Sequence, residues 1–507
     1  MSGADNGDSL LARTASGAGW VIGWRMATRL LGLLSTLVLA RVLGPGDFGL
    51  VALASGFTQT VDALTDFSVN EAIVRDPAPD RPLYDTAFTM SLTRGLVTTA
   101  VVAGVAWPAA AFFHEPRLAP VLFALALASL VGALENVRSA DLVRTFQFGR
   151  EFRLWTLPRV VQVAATIGVA LLFRSYWALV FGIVLGRLLR TGLSYVMIPY
   201  LPRFSLAAWR RILGFTTWSW AVWLTVVVRD RVDTFLIGRI FTPAQVGVYA
   251  LGAEIAALPT TELIESLARA CFPSFAQLRN QGLSAGSAYV RLLGAGAMLA
   301  FPAGSGIAAV ADPLVRLAFG PGWLDAIPMI QILSTAACLG VIGSLSGTLF
   351  SAFGLLRVSF TVLCTVTVAR AVLLVLLVPG GGLNAAAIVI AGMTLAEQAV
   401  MLILTMRRFG VRTVQLVSAL GRTVLACGAM MATMAVTGFG FQPVPDQVPQ
   451  ALAGSVAFGA AVYAVALGSL WLLAGRPDGP ERDLLTIAER LTGQLRKRLP
   501  RWPSPTT

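Results

Sequence analysis

Ten arginines lie inside long apolar stretches that carry little other charge: Arg25, Arg29, Arg94, Arg159, Arg187, Arg190, Arg229, Arg231, Arg370 and Arg422. An ionisable side chain held among apolar residues at membrane depth is costly, which makes it a functional candidate whose partner must be found. In the first apolar stretch Arg25 and Arg29 stand one helical turn apart and share a face with Gly32 and Thr36. Both also lie in the first half of that stretch, where an arginine can snorkel to the membrane surface. Arg94, Arg187 and Arg190 sit near one end of the third and sixth stretches, where they either snorkel or ring an inner mouth. The seventh holds Arg229, Asp230, Arg231 and Asp233. Arg229 and Asp233 are four residues apart, a spacing suited to a gate, an ion-coupling site or a static pair. Asp62 and Asp66 have the same spacing in the second stretch. They can pair with Arg25 or Arg29, take a coupling proton, or sit at the interface. Glu254 and Glu397 lie deeper in their stretches, as proton or sodium sites or as simple partners of Arg370 or another buried arginine. Pro259 and Pro302 remove backbone donors from apolar helices and are hinge candidates, although membrane packing also uses proline.

Other chemistries lack their residues. The only histidine is His114, and none of Cys271, Cys338, Cys364 and Cys427 forms a Cys-x-x-Cys pair. No metal site is expected, and the cysteines read as small buried apolar residues. No phosphate-binding glycine loop, nucleophile elbow or zinc spacing occurs. The expectation is a protein without cofactor that is not an enzyme, leaving coupling to a proton or sodium gradient as an energy source.

The elements that position these charges follow from composition. The chain has 507 residues, of which 13% are charged and 56% hydrophobic, with a mean hydropathy of +0.74. A soluble surface of this size needs roughly twice that charged fraction. A membrane-crossing helix needs about 20 mostly apolar residues. Fourteen stretches qualify: 18–41, 48–68, 88–112, 118–137, 154–173, 176–198, 212–238, 246–268, 289–311, 326–351, 357–378, 383–406, 415–438 and 450–474. With this count, 24 of the 39 basic residues fall in loops on the side of the two termini and five on the other side. The positive-inside rule then puts both termini in the cytoplasm. It accounts for the net charge of +13 without nucleic acid. The first stretch contains Arg25 and Arg29 and lacks a clear cleavage site, so it is expected to stay as a spanning helix. The tail over 476–507 is basic, with an amphipathic pattern from Leu484 to Leu495 that suits an anchor on anionic lipid.

An internal repeat organises the chain. ARVLGPGDFGLVAL at 40–53 returns as GRIFTPAQVGVYAL at 238–251, aligning Arg41 with Arg239, Pro45 with Pro243 and Gly49 with Gly247. Each copy occupies the turn between the first and second helix of a six-helix block. Proline and glycine suit a tight turn there, and the arginine can cap the preceding helix. Because six is even, the two blocks share an orientation and should be related by a pseudo-twofold axis along the membrane normal. The expected fold is therefore all-α and integral to the membrane. Its lobes cover 1–210 and 211–410 around a central cleft, with two extra helices over 411–475 and the tail over 476–507.

LARVLGPGDFGLVALASGFTQTVDALTDFSVNEAIVR at 39–75 resembles the opening of polysaccharide-export flippases, the Wzx-type proteins of the MOP (multidrug/oligosaccharidyl-lipid/polysaccharide) superfamily. So do RDRVDTFLIGRIFTPAQVGVYALGAEIAALP at 229–259 and RTFQFGREF at 144–152. The resemblance implies a bacterial inner-membrane protein of two lobes that open alternately to each side. Its cargo would be an undecaprenyl-diphosphate-linked oligosaccharide for exopolysaccharide or lipopolysaccharide, with membrane lipids, a polymerase and chain-length or export proteins as partners. Such a cargo needs a polar path, and guanidinium grips phosphate with two parallel hydrogen bonds. The similar lipid II flippases use cationic residues in their first helix, which points to Arg25 and Arg29 here. On this reading Arg25, Arg29, Arg94, Arg187, Arg190 and Arg229 hold the diphosphate or sugar. Asp62, Asp66, Asp233, Glu254 and Glu397 couple ions or gate. A MATE-type drug or metabolite antiporter would favour an acidic or aromatic cavity. A polysaccharide polymerase or ligase would need larger outer loops than this chain has.

Overall fold

The computed structural model describes residues 23–482, apart from 25, 66–68, 77, 146, 214–216, 440–447 and 478. Arg25, Asp66 and the amphipathic pattern of the tail lie outside the described residues. Among those described, all regular structure is helical, as expected where lipid leaves no water to satisfy an open backbone.

The helices are α1 (26–42), α2 (Pro45–Leu64), α3 (Val69–Arg75), α4 (Arg81–Phe112), α5 (Leu118–Ala133), α6 (Ala140–Arg144), α7 (Phe148–Phe173), α8 (Trp177–Met197) and α9 (Trp209–Leu213). They continue as α10 (Thr217–Ile240), α11 (Pro243–Asn280), α12 (Gly286–Ala309), α13 (Ala311–Ala318), α14 (Ala326–Ala337), α15 (Gly340–Ala352), α16 (Leu356–Phe409), α17 (Thr413–Thr437) and α18 (Val448–Leu473). Every one of the fourteen apolar stretches contains a described helix. Nine described segments are long and apolar enough to cross a membrane, or ten when α5 and the bent continuation Val137–Arg144 are taken as one.

Several boundaries differ from the sequence reading for local reasons. α4 starts at Arg81 because the Asp80 carboxylate caps it, accepting from the Leu83 amide at 3.2 Å. α5 stops at Ala133, and the chain bends by 63° into Val137–Arg144. The stretch over 326–351 is divided between α14 and α15. α11 runs on to Asn280 with Pro259 inside it, and Pro302 lies inside α12. The non-helical backbone in α16 is at Gly382, with φ +70°, between the two expected spans.

The chain divides into two compact units. One comprises Met1–Ala250 with Ala318–Trp323, the other Leu251–Leu317 with Leu324–Thr507. The first contains α10 and the opening of α11 as well as the earlier helices. Its strap Ala318–Trp323 is held by the Trp323 indole, which donates to the Ala40 carbonyl at 2.8 Å, and by Arg41, which donates to the Ala318 carbonyl at 3.1 Å. The second unit packs around Phe275, Tyr289, Leu293, Val341, Leu345 and Leu349. Within that core the Tyr289 and Thr405 hydroxyls meet Ser346 Oγ at 2.9 and 3.0 Å.

The two copies of the repeat touch each other within the first unit. Pro45 and Pro243 each open a helix, α2 and α11, where a missing amide hydrogen costs nothing. Gly49 and Gly247 are not turn residues, as their composition suggested. They lie inside these helices where the backbones cross. A Cβ on Gly49 would stand 2.7 Å from the Gly247 nitrogen and collide with the Pro243 carbonyl. A Cβ on Gly247 would stand 3.0 Å from the Gly49 nitrogen and collide with the Pro45 carbonyl. The contact is reciprocal, residue for residue. Of the repeat's arginines, Arg41 binds the strap and Arg239 lies over the Phe112 ring at 5.0 Å.

Candidate functional site

A polar cavity of about 330 Å³ opens in the first unit between α4, the end of α5, α6, α7 and α8. Arg94, Arg187 and Arg190 line it together, with Glu135, Glu151 and Trp155. The bend after α5 builds one wall. Asn136, fully buried, donates its side-chain amide to the Ile198 carbonyl at 2.7 Å and its backbone amide to Ser194 Oγ at 3.1 Å. Its side-chain Oδ1 in turn accepts from the Arg138 amide at 3.0 Å, capping the short turn Val137–Ser139. Thr191 and Tyr195 donate to the Val131 and Leu134 carbonyls, both at 3.0 Å. One stripe of α8, from Arg187 through Arg190, Thr191 and Ser194, is thereby fastened to the broken end of α5.

This clasp fixes the charges. Arg190 donates from Nε to Glu135 Oε2 at 2.7 Å and from Nη2 to the same oxygen. Its guanidinium lies 4.3 Å above the Trp155 ring, whose other partner is Trp24, stacked at 5.1 Å and 12°. The resulting stack of indole, indole and guanidinium ties the segment just before α1 to α7 and α8 and favours the planar fork of arginine over lysine. Arg187 fits against Gly132, where a Cβ would lie 2.9 Å from its Nη1. Asp62, Glu135, Arg190 and Arg94 are within its electrostatic reach. Asp62 also accepts from Ser129 Oγ at 3.5 Å.

The remaining candidates lie elsewhere. Arg29 is half-buried on α1, which faces α7: an Arg159 nitrogen lies 3.1 Å from where Gly32 would carry a Cβ. On α10, Arg229 pairs with its neighbour Asp230 at 3.1 Å, and Arg231 donates to Gln59 of α2. Asp233 is buried one turn further on, beside Thr234. In the second unit Glu397 is buried and meets Arg370 at 3.7 Å, while Arg370 also donates to Thr394 at 3.2 Å. Glu254 on α11 is exposed. The four cysteines are free, and among the described residues no cluster of histidine, cysteine and acidic side chains could hold a metal.

Sequence reasoning missed Glu135, Trp155 and Gly132. Glu135 belongs to the end of an apolar stretch, and only the break at Asn136 turns it toward Arg190. A glycine inside an apolar helix gives no sign of which side chain will occupy its notch.

The apolar helices of spanning length define a multi-pass membrane protein. Its fold is that of the lipid II flippase MurJ in an inward closed conformation, with a TM-score of 0.72 at 13% identity over 92% of this chain and all of that one. The family described as polysaccharide biosynthesis protein matches residues 38–328. The chain belongs to that family. Lipopolysaccharide biosynthesis protein WzxC of Escherichia coli (strain K12) is 26% identical over 360 residues, covering 69% of this chain and 72% of WzxC. Succinoglycan biosynthesis transport protein ExoT of Rhizobium meliloti (strain 1021) is 23% identical over 320 residues, covering 62% of this chain and 64% of ExoT. The resemblance to Wzx-type proteins drawn from the two half-chain openings is borne out.

Proposed function

We propose that this protein is a flippase that carries an undecaprenyl-diphosphate-linked oligosaccharide across the bacterial cytoplasmic membrane by alternating access. The observation that carries the reading is the convergence of Arg94, Arg187 and Arg190 on one cavity inside an apolar helical bundle. Three guanidiniums outnumber the two carboxylates that line the cavity, Glu135 and Glu151, and one of these is engaged by Arg190. A diphosphate supplies the missing negative charge, and a water-poor setting strengthens each contact. The family, and the printed names of WzxC and ExoT, support an envelope-polysaccharide cargo.

The proposal includes fourteen spans, both termini in the cytoplasm and a pseudo-twofold relation between the two blocks. The reciprocal contact of Gly49 and Gly247 supports the last of these. Arg25, Arg29 and Arg229 are proposed to extend the cationic path. Asp62, Asp66, Asp233, Glu254 and Glu397 are proposed for coupling to a proton or sodium gradient, and Pro259 and Pro302 for hinging. A polymerase and chain-length or export proteins are the proposed partners.

Complementation of a deletion strain tests the reading. The wild-type gene should restore surface polysaccharide, and Arg187→Gln with Arg190→Gln should not, at equal membrane abundance. Restored drug resistance with no change in polymer would favour the antiporter. Delivery of single repeat units that fail to polymerise would favour a polymerase or ligase.

A further inference from the structure

The connector between α8 and α9, residues 198–208, forms no helix or strand, yet it is fastened to one stripe of α4. The Arg203 amide donates to Asp85 Oδ1 at 3.0 Å, the Ser205 amide to Thr89 Oγ1 at 3.0 Å and the Ala208 amide to Thr86 Oγ1 at 3.1 Å. The Tyr200 hydroxyl also donates to Asp85 Oδ1, at 2.5 Å. Each threonine hydroxyl directs its own proton to a carbonyl one turn back, Pro82 for Thr86 and Asp85 for Thr89, which leaves its oxygen as an acceptor for the connector. Ala208 and, in α9, Ile212 enter a core with Ile73, Leu83 and Phe88.

The same fastening turns other apolar side chains outward. Leu201 is 83% exposed and Phe204 77%, and Leu206 and Trp209 are exposed with them. A pinned loop that holds four large apolar side chains away from its own core marks a contact surface. Two features identify what covers it. One is continuity with spanning helices. Val196, in the last turn of the spanning helix α8, is 80% exposed, and Leu201 follows it by five residues. α4, to which the connector is fastened, has 32 residues and so is about 48 Å long, against about 30 Å of hydrocarbon. With the excess shared between its ends, residues 85–89, about 6–12 Å from its start, stand at headgroup level. The other feature is charge. Residues 198–213 contain Arg203, Arg210 and Arg211 and no acidic residue. Arg211 is held by Asp76 and Asp80. Arg203 and Arg210 are exposed beside the apolar side chains, with Arg210 5.4 Å over the Trp209 ring. Apolar and aromatic side chains interleaved with arginine suit the boundary between acyl chains and anionic headgroups.

We propose that the connector is a docking surface for anionic membrane phospholipid. Leu201, Phe204, Leu206 and Trp209 enter the leaflet at this end of α4 and α8, and Arg203 and Arg210 bind the phosphate-bearing headgroups. None of these residues lines the arginine cavity, so the surface stands or falls independently of the proposed cargo.

The full chain, reconstituted in nanodiscs with a fluorescent amino acid in place of Leu201, tests it. Brominated phospholipid should quench the label, and the neutral aqueous quencher acrylamide should not. At equal mole fraction, brominated phosphatidylglycerol should quench more than brominated phosphatidylcholine. Arg203→Gln with Arg210→Gln should abolish that preference while quenching by brominated lipid persists, because the apolar side chains still enter the leaflet. Arg203→Lys with Arg210→Lys should keep the preference, since the positive charge remains. Both arginines are exposed, so neither change reaches the core. Quenching by acrylamide alone would place the connector in water, and quenching by neither reagent would place it under protein; either result overturns the proposal. Equal quenching by the two brominated lipids with both arginines present would overturn it too, as would a preference that survives in the glutamine pair.

Discussion

Gly49→Ala and Gly247→Ala probe the crossing of the two repeat copies with one methyl group each. On Gly49 the new carbon would begin 2.7 Å from the Gly247 nitrogen, and ordinary contact starts at 3.4 Å, so the helices must part by at least 0.7 Å. The obstacle is backbone on both sides, including the Pro243 carbonyl, and no flexible side chain can swing away. Overpacking of this kind costs about 1–3 kcal/mol, and a rigid obstacle puts it at the upper end. Gly247→Ala meets the Pro45 carbonyl and should cost the same. Because either methyl group already forces the separation, the double variant should cost little more than one alone, a coupling of about 2 kcal/mol. Gly104→Ala on α4 is the control: nothing lies within 4 Å of its added carbon, and alanine favours helix by about 1 kcal/mol. Equilibrium unfolding in mixed micelles reads all four variants. If Gly49→Ala matched Gly104→Ala, or if the two repeat variants were additive, the reciprocal backbone contact would be refuted.

Glu135→Gln should lower stability by about 1–3 kcal/mol by leaving Arg190 with a neutral partner, and Arg190→Lys should recover charge without restoring export. Unfolding in micelles and surface polymer read the two effects separately. Trp155→Ala should lower stability by about 1–3 kcal/mol and reduce export, because it removes the surface against which Trp24 and Arg190 stack. Before α4, the Arg211 guanidinium beside Asp76 holds its carboxyl below the ordinary carboxylate range. Its stabilising contribution is therefore full above the unfolded-state value near 3.8 and disappears as pH falls through the lower folded value. Asp76→Asn should accordingly lower thermal stability at pH 6 and leave it unchanged once both forms are protonated; equal loss at both would refute the pair.

The short helices α3, α6, α9 and α13 were not legible, whereas the long ones were, because each is built on a long apolar stretch and lipid permits few other shapes for one. Their ends were less so. The start of α4 depends on a cap from Asp80, and the end of α5 on Asn136 finding acceptors on α8, a contact between residues some sixty positions apart. The arginines stood out because a charge among apolar residues is expensive. The pairing of Arg190 with Glu135, and of Arg422 with Glu481, required tertiary contacts that no local spacing encodes. By contrast, Glu397 meets Arg370, the partner its apolar surroundings had suggested. The repeat motif marked Gly49 and Gly247 as equivalent, but their role in a helix crossing emerged only when the two copies were seen in contact.

Site-specific photocrosslinking to the lipid-linked precursor tests the central claim most directly. A photoreactive amino acid at Ser91, which lines the arginine cavity, should capture the radiolabelled diphosphate-linked oligosaccharide in membranes. Capture should disappear when Arg187→Gln and Arg190→Gln are combined with it. Undiminished capture in that combination, or capture from Ser418 in the second unit but none from Ser91, would contradict the account.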